Sequence, residues 1–165
     1  IVCDFSSCTY TFLQNAKQLP VVYQEKFRQL QLIDSVEYID KVLMPLLQPV
    51  GKTPTVVLHP TCAVVKMHLQ DSLQHIAAQL SQEVVVPAAV GCCGMAGDRG
   101  FLVPELTASA THLEVAEAIM HAPASCYASA TTCEMAMSHY SGMQYRHIAY
   151  LADEQTSGSV EQSTV

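Results

Sequence analysis

Two adjacent cysteines stand between glycines in Gly91-Cys92-Cys93-Gly94. A disulfide between such neighbours is strained, so the pair serves better as two thiolates aimed at one centre. The flanking glycines permit the sharp turn this requires. Cys62 precedes the pair, in His59-Pro60-Thr61-Cys62, and Cys133 follows it, in Thr132-Cys133-Glu134. Thiols from three separate points of the chain suit an iron–sulfur cluster or a tetrahedral zinc. His59, three residues before Cys62, is a weaker candidate. It reads as a ligand, a hydrogen-bond partner to one, or a loop histidine bonded to backbone.

Seven cysteines in all lie at 3, 8, 62, 92, 93, 126 and 133. Their odd count and wide spacing disfavour a disulfide framework. Cys3 reads as a small apolar core residue, and Cys126 fits either role. A net charge of −7, with only 8 Lys and Arg that do not cluster, argues against nucleic acid. Half the residues are hydrophobic, enough for a substantial core in one domain or slightly more. No apolar run approaches a membrane span. The chain begins without Met, directly in the apolar Ile1-Val2-Cys3-Asp4-Phe5, which suggests a piece of a longer protein. The remaining histidines (His68, His75, His112, His121, His139 and His147) read as surface residues, and the methionines as core filler. Glu105 and Glu134 fall in first turns of helices, where a carboxylate suits the dipole. The Gly91, Gly94, Gly97 spacing does not match a dinucleotide loop.

These residues need elements to position them. Ile1 to Phe5 reads as a strand, and Ser6-Ser7-Cys8-Thr9 offers a cap for a helix to about Asn15. From Val21 to Leu47 apolar residues recur at helical spacing, in two pieces ending near Pro45 or Pro49. Then an alternation begins. Thr55–Leu58 is a strand buried on both faces, followed by a helix from Cys62 to about Leu80. Glu83–Val86 is the next strand, leading into the glycine–cysteine turn. A helix from Pro104 to about His121, a weaker strand from Ala124 to Ala128, and a helix from Thr131 to about Tyr140 closed by Gly142 follow. Arg146 to Tyr150 reads as a last short strand. The alternation predicts an α/β fold, three-layer and Rossmann-like, with a mostly parallel sheet. In such sheets, sites gather at the carboxyl ends of strands. Cys8, Cys62, Cys92-Cys93 and Cys133 all follow a predicted strand, where helix N-termini would favour thiolates.

A Cys, then CCG, then a Cys at the head of a helix resembles the cysteine-rich CCG domain. That domain occurs in heterodisulfide reductase subunits, in the glycolate oxidase iron–sulfur subunit and in FAD-linked D-lactate dehydrogenases. The longer strings His59-Pro60-Thr61-Cys62, Gly91 through Phe101, Pro104-Glu105-Leu106-Thr107 and Thr132-Cys133-Glu134 are most similar to the last group. The resemblance covers about residues 55 to 153 and implies the second half of a tandem CCG domain. Asp4 to Thr9, with Cys8, would end the first half. Residues 1–50 would then be the end of that first half plus a helical connection, 51–155 the second half, and 156–165 a flexible tail. In heterodisulfide reductases the last ligands form Cys-x-x-Cys. Here Ala130 stands three before Cys133, so four thiols match rather than five. This points to a [4Fe–4S] cluster, a zinc or an empty site.

The resemblance implies an electron-transfer domain of a flavin-dependent D-lactate or 2-hydroxy acid dehydrogenase. Cys62, Cys92, Cys93 and Cys133 would be ligands, with Cys8 and His59 as weaker ones. FAD would sit on a flavin-binding domain of the same polypeptide, and electrons would pass toward a quinone or cytochrome. The expected location is cytoplasmic, at most peripheral at the membrane, and the isolated piece would not turn over substrate. Two alternatives stand beside this: a structural zinc or metal-free interaction module, and a thiol/disulfide redox domain using Cys92 or Cys93.

Overall fold

The computed structural model describes residues 1–157. Four strands form one parallel sheet in the order β4-β3-β5-β6: β3 (Thr53–Leu58), β4 (Ser81–Val85), β5 (Ser125–Ala128) and β6 (Tyr145–His147). β1 (Val2–Cys3) and β2 (Ile33–Asp34) form a second, two-stranded parallel pair. Pro54 lies in β3, a central strand, yet β5 pairs with β3 only from Val56 onward. The missing N–H therefore falls before that pairing begins.

The sheet is covered on both faces, as its apolar strands require. Val56, Leu58 and Tyr127 pack with Val36, Leu73, Ile76, Leu80, Ile148 and Leu151. These come from α3 (Ser35–Tyr38), α5 (Gln70–Leu80) and α9 (Ile148–Thr156). The alternate strand positions Val57 and Cys126 face the other way, onto Val115, Ala118 and Met137. Those belong to α7 (Pro104–Met120) and α8 (Thr131–Ser141). The three-layer α/β expectation is therefore met. Each fully buried Leu or Ile contributes about 1.5–3 kcal/mol. Cys126 is a core residue on β5.

Several boundaries differ from the sequence reading. The first strand is only two residues long, and α1 (Ser6–Ala16) has Phe5 at its cap with no side-chain bond. The helical stretch from Val21 breaks into α2 (Val21–Arg28), the unexpected β2, and α3 continued by a π-helical turn at Ile39–Leu43. Asp34 stops one piece and starts the next, because its carboxylate accepts the Val36 N–H. The helix expected from Cys62 to Leu80 is two, α4 (Cys62–Lys66) and α5, split where His68 adopts φ +59°. The strand expected at Arg146–Tyr150 ends at His147. There the imidazole Nδ1 accepts the Ala149 N–H and opens α9. His147 is thus a partly buried cap, not a surface residue, and burial pulls its pKa down. Among the methionines Met120 is largely exposed, so core filling does not describe them all. Gly142 closes α8 at φ +71°, as expected of a left-handed cap. The tail expected to be flexible lies mostly outside the described residues.

Candidate metal centre

The carboxyl ends of β3 and β5 carry the site. His59 follows β3 directly, its N–H donating to Tyr127 O at 2.9 Å, which extends the β3–β5 pairing by one bond. Thr61 caps α4 by accepting the Val64 N–H, and this places Cys62 in the first turn. Ser129, just past β5, meets the Thr61 hydroxyl at 3.1 Å. Its carbonyl accepts the Ser6 N–H and ties α1 to the same edge. Ala130 caps α8, and Cys133 lies in its first turn.

Cys92 and Cys93 sit in an irregular loop, not at a helix N-terminus. The next helix, α6 (Arg99–Leu102), begins well past them. This corrects the expectation that a helix dipole serves the pair. The loop is built by glycine and by carboxylates instead. Gly94 adopts φ +77°, and a Cβ there would lie 2.8 Å from Thr107 Cα and 2.9 Å from Leu106 O. Glu117 of α7 accepts the Ala88 and Ala89 amides, and Glu114 accepts Gly91 N–H at 3.4 Å.

The side chains converge as follows. Cys93 Sγ and Cys133 Sγ are 2.9 Å apart and both residues are buried. The His59 ring joins them, so that ligand atoms of His59, Cys93 and Cys133 all lie within 4.8 Å of one another. Such a group can hold a metal ion. Cys62 is half-buried and Cys92 exposed. Neither belongs to the trio, though both act electrostatically on Cys133 and raise it. Cys8 is exposed on α1 and is not in the trio.

His59 is completely buried, and its Nδ1 lies 2.7 Å from Glu114 Oε1, a carboxylate only 1% exposed. Its Nε2 has no hydrogen-bond partner among the described residues. A buried imidazole nitrogen without a partner is costly unless something occupies it. A carboxylate on the far ring nitrogen is the arrangement that orients a metal-binding histidine. The donor set therefore fits a thiophilic metal.

Electrostatics favour one thiolate at the centre. Cys93 is pulled down to about 5, chiefly by the hydrogen bond from Cys133; burial opposes this and His59 assists it. Cys133 is correspondingly raised by Cys93. Burial alone would depress His59, but the Glu114 carboxylate and the neighbouring Cys93 overcome it and push it up to about 9. Burial and the neighbouring Cys92 raise Cys62 to about 11. Glu134 points a partnerless Oε1 inward and is raised by burial.

Glu114 was not singled out from the sequence. Its signal was present, because Thr107, Thr111, Glu114, Val115 and Ala118 form the buried stripe of α7. An acid in such a stripe demands a partner.

No protein-family model matches the chain, and no curated protein matches it. No helix among the described residues is long and apolar enough to cross a membrane. The functional reading therefore rests on the chemistry of the site.

Proposed function

We propose that this chain is a metal–thiolate electron-transfer domain. In this reading it is the second half of a CCG domain, serving as the iron–sulfur-binding C-terminal part of a flavin-dependent D-lactate or 2-hydroxy acid dehydrogenase. The meeting of Cys93 and Cys133 beside His59 supports the reading, with Cys92 next to Cys93 in the chain and Cys62 opening α4. FAD on another domain would accept the hydride, and a quinone or cytochrome would receive the electrons. A bound cluster would supply one-electron transfer. The chain's own residues hold the thiolates in place. Cys93 and Cys133 would hold the group as thiolates, and Glu114 would fix the His59 ring toward it. The buried Met95, Ala130 and Ala136, with the partly buried Phe5 packed against them, keep water off the inner sulfurs.

A zinc at the same place is the second reading, and His59 favours it. An unpartnered Nε2 beside two sulfurs suits a tetrahedral ion better than a four-thiolate cluster. Anaerobic reconstitution with iron and sulfide, followed by metal analysis and EPR, separates them. The cluster reading expects iron with acid-labile sulfide, lost equally in Cys62→Ser, Cys92→Ser, Cys93→Ser and Cys133→Ser. Zinc in the trio expects one ion per chain that tolerates Cys92→Ser and is lost in Cys133→Ser. Failure to hold any metal would sink both.

A further inference from the structure

A hollow of about 280 Å³ opens between α6, α7 and α8, outside the thiol group. Its walls are apolar and soft: Met95, Phe101, Pro104, Met135 and Ala136. Met95 and Ala136 also pack in one cluster with Cys93 and Cys133. The floor is thus a single layer of side chains over the two inner sulfurs. The hollow is held open by sequence. Gly100 has no room for a Cβ, which would lie 2.5 Å from Thr107 Oγ1 and 2.6 Å from Met95 Sδ. A side chain there would have to displace the floor.

Its polar groups are few and fixed. Tyr140 donates its hydroxyl to Pro104 O at 2.9 Å, which leaves that oxygen only as an acceptor. The His139 ring stands edge-on to Tyr140, with centroids 4.7 Å apart and planes at 82°. No described residue hydrogen-bonds the His139 ring, so its nitrogens remain available at the rim. No acidic, lysine or arginine side chain lines the space.

We propose that this hollow binds a small, uncharged aromatic molecule carrying one carbonyl or hydroxyl oxygen. Each part of that class comes from a feature of the walls. The volume lies just below the range of about 300–1,000 Å³ typical of pockets for drug-sized ligands, so it takes a single ring system. Two thioethers and two aromatic rings favour a flat π-system, through sulfur–aromatic contacts and edge-to-face packing. The single free imidazole selects a ligand oxygen, and the absence of a counter-charge disfavours an ionised ligand. A ring held here lies one side-chain layer from the thiol pair. The assignment does not depend on which metal the thiols hold.

The test uses the methyl groups of the floor and rim. Of seven methionines, Met95 and Met135 line the hollow while Met44, Met67, Met120, Met137 and Met143 do not. The chain is labelled at its methionine methyls and titrated with acetophenone, ethylbenzene and benzoate, with zinc and without. Acetophenone is expected to shift Met95 and Met135 saturably, with a dissociation constant on the order of 1 mM. Ethylbenzene, which lacks the oxygen, is expected to bind about two- to tenfold more weakly, the worth of one hydrogen bond. Benzoate is expected to leave both methyls in place. His139→Leu, an exposed position, should abolish the preference for acetophenone and leave ethylbenzene unchanged. The proposal is overturned if acetophenone moves exposed Met120 as much as Met95, if no shift saturates, or if His139→Leu keeps the preference. Binding in the zinc-free chain would uphold the hollow even if the metal reading fails.

Discussion

Glu114→Gln is the most informative single change, because it removes a charge while keeping the shape. The carboxylate makes two contacts, His59 Nδ1 at 2.7 Å and Gly91 N–H at 3.4 Å. A glutamine can keep its carbonyl on Nδ1, but the charge assistance is lost. That difference is about 1–1.5 kcal/mol, from about 1.5–3 for an ionic bond to about 0.5–1.5 for a neutral one. Its amide would then face the Gly91 N–H, donor against donor, adding a further loss of about 0.5–1 kcal/mol. The sum, about 2 kcal/mol, corresponds to roughly thirtyfold in metal affinity. It falls inside the 10–100-fold, roughly, that carboxylate partners of ligating histidines contribute. The assay is competition for zinc against a chromophoric chelator at neutral pH. Leu73→Ala supplies the control for general destabilisation: the side chain is fully buried in a different core cluster from Cys93 and Cys133, and its loss costs about 2–5 kcal/mol of folding stability. If Glu114→Gln binds zinc within twofold of the natural chain, or no more weakly than Leu73→Ala, the buried carboxylate does not orient His59 toward a metal.

Two further outcomes follow from the loop and from protonation. Gly94→Ala places a Cβ against Thr107 Cα and Leu106 O at φ +77°, so thermal unfolding should show a loss of about 1–3 kcal/mol and metal titration a weakened site. An unchanged melting temperature would contradict the close packing of the loop on α7. In the metal-free chain, a Cys93 pKa lowered from 9.0 to about 5 contributes stability that is complete above pH 9 and disappears as pH falls through about 5. His59, raised from 6.5 to about 9, contributes stability that is complete below pH 6.5 and disappears as pH rises through about 9. From pH 9 down to 6.5 the two trends offset. Between 6.5 and 5 only the Cys93 loss remains, so urea midpoints should fall there and a Cys93→Ala variant should stay flatter. Parallel curves for the two proteins would rule this out.

Much of the fold was legible because its signals are local. The apolar run ending at Leu58, the proline at the head of α7 and Gly142 after α8 each act within a few residues of themselves. The short β2 was not legible. Ile33-Asp34 is too brief to show a period, and it exists because it pairs with β1 across the chain. The start of α9 was hidden in the same way, since an imidazole cap at His147 mimics the end of a strand.

By itself the sequence offered the donor atoms from which a metal site could be built. Four thiols at strand ends in an α/β alternation constrain the chemistry wherever they finally point. Tertiary structure decided how they divide: Cys93 meets Cys133 rather than its neighbour Cys92, and His59 is sealed against Glu114. The physical reason is that charge and proton sharing depend on burial and on ångström separations. Those are set between residues 40 and 55 positions apart, by a sheet and helices that no local pattern specifies.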